Sequence, residues 1–169
     1  MTQIGRVLWA STLFALVLIA LAARPAAAAV EVSFLHPEGY TDAGRYDGAK
    51  ADPGTLDALK RHLRRLGERG LKPGQTLKIE ILDIDLAGRF EPWHAAAYDI
   101  RFLRPVTWPR IALRYELNDG NGTVSGAEET LADLNYQMRA GAASSSDPLR
   151  YEKAMLDDWF RQRFAKPAS

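Results

Sequence analysis

The stretch TLKIEILDIDL (residues 76–86) decides the fold. Side chains along a strand alternate with a period of two, so Leu77, Ile79 and Ile81 share one face while Leu82, Ile84 and Leu86 share the other. A sheet covered on one side cannot bury both sets. Either both faces are covered there or, the reading favoured, a β-bulge near Ile81-Leu82 shifts the register.

Reading outward from that strand, Pro73-Gly74 is a turn, and a helix precedes it. Asp52-Pro53 supplies an N-cap and a proline at the first helical position. Leu56, Leu59, Leu63 and Leu66 then form one apolar stripe until Gly67 and Gly70 end the helix. Before it, residues 30–35 (VEVSFL) alternate as a half-buried strand does, and residues 36–51 read as a long surface loop. After the central strand, residues 98–103 and 111–117 are the next strands, the latter with Ile111, Leu113, Tyr115 and Leu117 inward. The run NDGNG (residues 118–122) is a hairpin loop of residues that tolerate positive φ. A return strand spans 123–131, and residues 140–146 are small and polar, as in a flexible loop. Asp147-Pro148 repeats the helix-start pattern. The last helix carries Tyr151, Met155, Leu156, Trp159, Phe160 and Phe164 on one broad face.

The predicted fold class is α+β. It is a two-layer sandwich with a mostly antiparallel sheet, element order β-α-β-β-β-β-α and two helices on one face of the sheet.

Residues 1–29 stand apart from this pattern. Arg6 precedes an apolar run over residues 7–23, and Ala26-Ala27-Ala28-Ala29 offers small-residue cleavage frames. These are the parts of a cleavable export signal. The expected domains are accordingly 1–29, a signal peptide, and 30–169, a single folded domain in the periplasm, with secretion as the alternative. Removing Arg6 and Arg24 from the 22 basic residues of the 169-residue chain leaves 20 against 21 acidic ones, a formal charge of −1. Such a balance argues against a nucleic-acid partner, which leaves a basic footprint. The chain contains no cysteine. Thiolate chemistry, disulfides and lipid attachment at a lipobox are therefore excluded.

Five stretches in this order resemble one family: VEVSFLHPEGYTD from Val30, QTLKIEILDIDLAGRFEP from Gln75, DIRFLR from Asp99, WPRIALRYELNDG from Trp108 and DPLRYEKAMLDDWF from Asp147. Together they are similar to the exported bacterial family catalogued as domain of unknown function 3016. The resemblance implies an envelope or secreted location and a compact α+β domain. It implies no activity and carries over no catalytic residue.

The densest group of reactive side chains lies in residues 83–94, with Asp83, Asp85, Arg89, Glu91, Trp93 and His94, and with Arg101 and Arg114 as strand neighbours. Clustered carboxylates suit a hard cation and an imidazole a transition metal. The stretch nevertheless lacks calcium-loop spacing, and no second His stands at helical spacing, so no metal or cofactor is assigned. The same aspartates also read as strand-end residues paired with Arg89, Arg101 or Arg114 on a solvated face. The first helix carries Lys60, Arg61, Arg64, Arg65 and Arg69, a face for an anionic lipid surface or acidic partner, or simply a solvated face that includes His62. Trp93 and Trp108, each beside a proline, could form an aromatic platform or cap the edge of the core. No G-x-S-x-G elbow or phosphate loop is present. Three functions follow in order: a non-enzymatic domain binding an envelope protein or small ligand; a metal-dependent hydrolase using Asp83, Asp85, Glu91 and His94; and an auxiliary subunit of an envelope transport system.

Overall fold

A computed structural model describes residues 28–46, 48–91, 93 and 100–164. Strand β2 (Thr76–Asp85) lies inside a four-stranded sheet of order β1-β2-β5-β6, with β1 spanning Ala29–Phe34, β5 Arg110–Asn118 and β6 Val124–Ala132. β1 runs parallel to β2; the β2–β5 and β5–β6 pairs are antiparallel. The predicted bulge is present. Leu77, Ile79 and Ile81 oppose Leu117, Tyr115 and Leu113, the register shifts, and Asp83 and Ile84 then oppose Ala112 and Ile111. The one extra residue keeps Ile84 in the core with Leu77, Ile79 and Ile81.

Helix α1 (Pro53–Gly70) begins as its sequence dictates, with Asp52 Oδ2 accepting from the Thr55 N–H at 2.9 Å. It buries Leu59, Leu63 and Leu66, while α3 (Arg150–Arg163) buries Met155, Leu156, Trp159 and Phe160. These side chains and those of β2 and β5 form one cluster, which is the α+β arrangement expected. The two helices come close because Gly70 has no side chain: a Cβ there would stand 2.6 Å from the Phe160 ring. A second, smaller cluster joins Ala87, Tyr136, Ala142 and Tyr151. Its rings meet edge to face at 4.8 Å, and the Tyr136 hydroxyl donates to the Arg104 carbonyl at 2.8 Å.

Several local expectations change. Of the strand expected at 98–103, residues 100–103 are described, and within them β4 (Arg101–Phe102) pairs with β3 (Arg89–Phe90) in a separate two-stranded ribbon; residues 94–99 lie outside the described residues. Gly88 causes this. Its φ of 83° turns the chain out of the main sheet, and a Cβ would come within 2.7 Å of the Phe102 carbonyl oxygen. The loop at 36–51 is partly built into the domain. Asp42 donates its N–H to the Ile84 carbonyl and accepts from the Leu86 N–H, both at 2.9 Å. This stretch pairs with the β2 edge that β1 leaves bare after Phe34, and it buries Ala43.

Residues 140–146 contain a four-residue helix, α2 (Ala140–Ala143). Asp147 stands ahead of α3 and accepts from the Leu149 N–H at 2.9 Å, so the helix starts at Arg150. His62 leaves the solvated face assigned to it. It is 8% exposed at the α1–α3 seam, with Nε2 2.8 Å from Asp157 Oδ1. Among the described residues no helix is long and apolar enough to cross a membrane. The export-signal reading falls on residues 1–29, of which 1–27 lie outside the described residues.

Candidate functional site

The bulge in β2 and the turn at Gly88 set the geometry of the predicted acidic cluster. Asp85 is 3% exposed, and its carboxylate is shared: Oδ1 accepts from Arg89 Nη1 and Oδ2 from Arg110 Nη2, each at 2.6 Å. Asp42, in the loop paired with the β2 edge, accepts from Arg89 Nη1 at 3.0 Å. It also receives the Arg101 guanidinium as a fork at 2.8 and 2.9 Å. Two carboxylates and three guanidiniums thus tie the 36–51 loop, β2, β5 and the ribbon together. Arg101 lies 4.5 Å over the Phe90 ring.

The remaining sequence-predicted residues are engaged separately. Asp83 accepts from the N–H and hydroxyl of Thr41, both at 2.7 Å. Glu91 is buried and pairs with Arg104. Arg114 sits on the sheet face away from the helices, paired with Glu80 and Glu128. Trp93 is 73% exposed, and His94 lies outside the described residues. The structure therefore brings together Asp85, Arg89 and Arg101, but not Asp83, Glu91 or Arg114. Among the described residues no three His, Asp or Glu side chains are grouped as a metal ion would require. On α1, Arg61 pairs with Asp57 and Arg69 donates to the Arg65 carbonyl of its own helix. Arg64 and Arg65 are exposed and Lys60 half-buried.

A cleft of about 630 Å³ opens where the ribbon, the 36–51 loop and the first turns of α1 and α3 meet. Such a volume is in the range of small-molecule sites. Leu86, Phe90, Leu103 and Leu149 give it apolar walls, and Arg45, Arg101, Arg150 and Glu152 line it as well. Glu152 is 1% exposed. Its Oε1 accepts from the Ala87 N–H at 2.7 Å, and Oε2 has no partner among the described residues. Burial pushes the Glu152 carboxyl above the ordinary carboxylate range, against the Ala87 N–H and the more distant Arg101 and Arg150. Arg150 stacks 4.6 Å over the Tyr151 ring, and its Nε also lacks a partner among the described residues.

Sequence reasoning placed Arg101 but missed Asp42, Arg110, Arg150 and Glu152. Glu152 left a signal. It stands three and four residues before Met155 and Leu156, which puts a carboxylate on the helix face that should be apolar. Asp42 left none, since nothing local distinguishes a loop aspartate that pairs with a sheet edge.

No curated protein matches the chain. A family model described as "Protein of unknown function (DUF3016)" matches residues 28–162, from the residue before β1 almost to the end of α3. That span takes in the whole sheet, the ribbon and the cleft, and the chain belongs to this family.

Proposed function

We propose that this protein is an exported, non-enzymatic domain of the bacterial cell envelope that binds a small ligand in the cleft between the ribbon and the two helix starts. The observation that carries the reading is Glu152. Glu152 is 1% exposed and its Oε2 has no partner among the described residues, and an unsatisfied buried carboxyl oxygen costs about 1–3 kcal/mol. That cost is recovered if a bound molecule supplies the missing hydrogen bond. The apolar walls and the few convergent polar groups match the usual make-up of a ligand pocket. Export rests on Arg6, the apolar run at 7–23 and the alanines that follow.

Native mass spectrometry of the protein purified from its own envelope tests this reading. The expected result is a discrete small-molecule adduct that disappears when Ala58, on the cleft wall of α1, is changed to Phe. A protein of bare mass in both forms, or an adduct unaffected by Ala58→Phe, would count against the cleft as a binding site.

A further inference from the structure

We propose that the cleft takes a small monocarboxylate with an apolar body, its carboxylate set against Glu152 and Arg150 and its body lying on Leu86, Phe90 and Leu103. This rests on the ligand-binding reading above and names the ligand's chemistry.

The cleft lining is rich in donors. Both long helices present their first turns there, Gly54 and Thr55 of α1 and Arg150 to Glu152 of α3. Helix N-termini favour negative charge. Two arginines are underused. Arg45 is exposed and reaches Asp52 only at 3.8 Å, and Arg150 directs Nη1 to the Asp147 carbonyl at 3.2 Å while its Nε is unpartnered among the described residues. Arg101 is fully occupied by Asp42 and forms wall rather than donor.

Glu152 is the second, independent indication. Burial favours the protonated form of Glu152, which is a donor through Oε2, and an O–H donated to a carboxylate makes a short, charge-assisted bond. A neutral or cationic ligand would leave the arginines and helix ends unanswered. A dianion would meet Asp52, which caps α1, and Asp147, which stands just ahead of α3; both line the same space. One negative charge therefore fits best. Leu86, Phe90, Leu103 and Leu149 make the rest of the lining aliphatic and aromatic, so the remainder of the ligand is apolar.

The test is calorimetric titration of the full chain with octanoate, octanol and octylamine at pH 6 and pH 8, for the wild type, Glu152→Gln and Arg150→Gln. Octanoate is expected to bind at least about tenfold more tightly than octanol, since the charge contributes charge-assisted hydrogen bonds. Octanoate affinity should fall as pH rises through the raised Glu152 value, by up to about tenfold per unit once Glu152 must take up a proton to bind. Glu152→Gln should flatten that slope, because the amide does not titrate. Arg150→Gln should weaken octanoate and leave octanol unchanged, a readout that stands even if the Glu152 variant fails to fold. Octanol binding as tightly as octanoate, or octylamine binding more tightly, overturns the anion assignment and leaves the ligand-binding reading intact. Octanoate failing to bind at millimolar concentration also overturns it. The fate of the broader reading is then read separately from the adduct in native mass spectrometry.

Discussion

The Asp42 carboxylate holds the Arg101 guanidinium as a fork, Oδ2 to Nη1 at 2.8 Å and Oδ1 to Nη2 at 2.9 Å, and with it fixes one wall of the cleft. Asp42 belongs to the loop that pairs with the β2 edge; Arg101 belongs to the ribbon that Gly88 turns away from the sheet. The ribbon is only two residues long on each strand, too short to be stable alone. Its attachment depends on this fork, on Arg89 reaching both Asp42 and Asp85, and on Phe90 beneath Arg101. The charge cluster legible around Asp83–Arg101 is in this sense the frame of the cleft, and on the neighbouring helix stand Arg150 Nε and Glu152 Oε2, which have no partner among the described residues.

Arg101→Lys should therefore be far from conservative. A lysine presents one compact charge and cannot make a fork. Both partners are mostly buried, at 18% and 15% side-chain exposure, so breaking the pair leaves Asp42 poorly solvated. We expect a loss of about 2–4 kcal/mol in urea unfolding for Arg101→Ala and about half that for Arg101→Lys. A double cycle with Asp42→Asn should return a coupling of at least about 1 kcal/mol. Additive losses would mean that the fork is incidental.

Glu152 and His62 should give opposite pH signatures. The folded pKa of Glu152 is raised by burial, so its contribution is fully present below the ordinary value of 4.5 and is lost as pH rises through the folded value. Glu152→Gln keeps the acceptor for the Ala87 N–H and removes the titration. The variant should gain on the wild type as pH rises, by up to about 1.4 kcal/mol per pH unit inside that window. A stability difference that stays constant from pH 5 to pH 8 would show that Glu152 ionises freely.

His62 is displaced the other way. Burial at the α1–α3 seam lowers its pKa, partly offset by the Asp157 carboxylate. The neutral imidazole is favoured in the fold, so its contribution is fully present above the ordinary value of 6.5 and is lost as pH falls through the folded value. His62→Gln should flatten the wild-type stability profile on the acid side of pH 6.5, leaving the Glu152-dependent fall with rising pH in place. If the profile below pH 6.5 is the same in both proteins, Asp157 outweighs burial and the sign assigned here is wrong.

What the sequence reveals and what it hides divide along physical lines. The bulge, the Asp52 cap, the hairpin at 118–122 and the aromatic face of α3 are consequences of local periodicity and backbone preference, and each was legible. The ribbon was not. The direction of the turn at Gly88 depends on a carbonyl of Phe102 fourteen residues away, and a single glycine does not announce a positive φ. The buried polar pair of residues was partly legible. Leu59, His62, Leu63 and Leu66 share one helical face, as do Glu152, Met155, Leu156 and Trp159. A histidine and a glutamate written into apolar stripes are departures from pattern, and such departures mark places where a partner must be found. Asp42 and Arg110 carried no such mark, because their roles come from register alone: Arg110 faces Asp85 only once the bulge has moved β2 by one residue.

That last dependence gives the most direct test of how the chain encodes its site. Leu82 is the residue without a partner between Ile81↔Leu113 and Asp83↔Ala112. Deleting it restores an unbroken alternation in which Ile81 and Ile84 stay on the core face and Asp83 and Asp85 stay opposite Ala112 and Arg110. The deletion should fold, with a cost of about 1–3 kcal/mol from the lost apolar contact and the local change in twist. Deleting Arg114 from β5 removes a residue between Leu113 and Tyr115, where no bulge can absorb the change. One end of the strand must then turn its inward side chains to solvent, and that variant should not fold cooperatively. Thermal melts followed by near-ultraviolet circular dichroism separate the two. Equal damage from both deletions would mean that the bulge is a fixed requirement of the fold, and that the extra residue does more than correct the register of a strand with apolar residues on both faces.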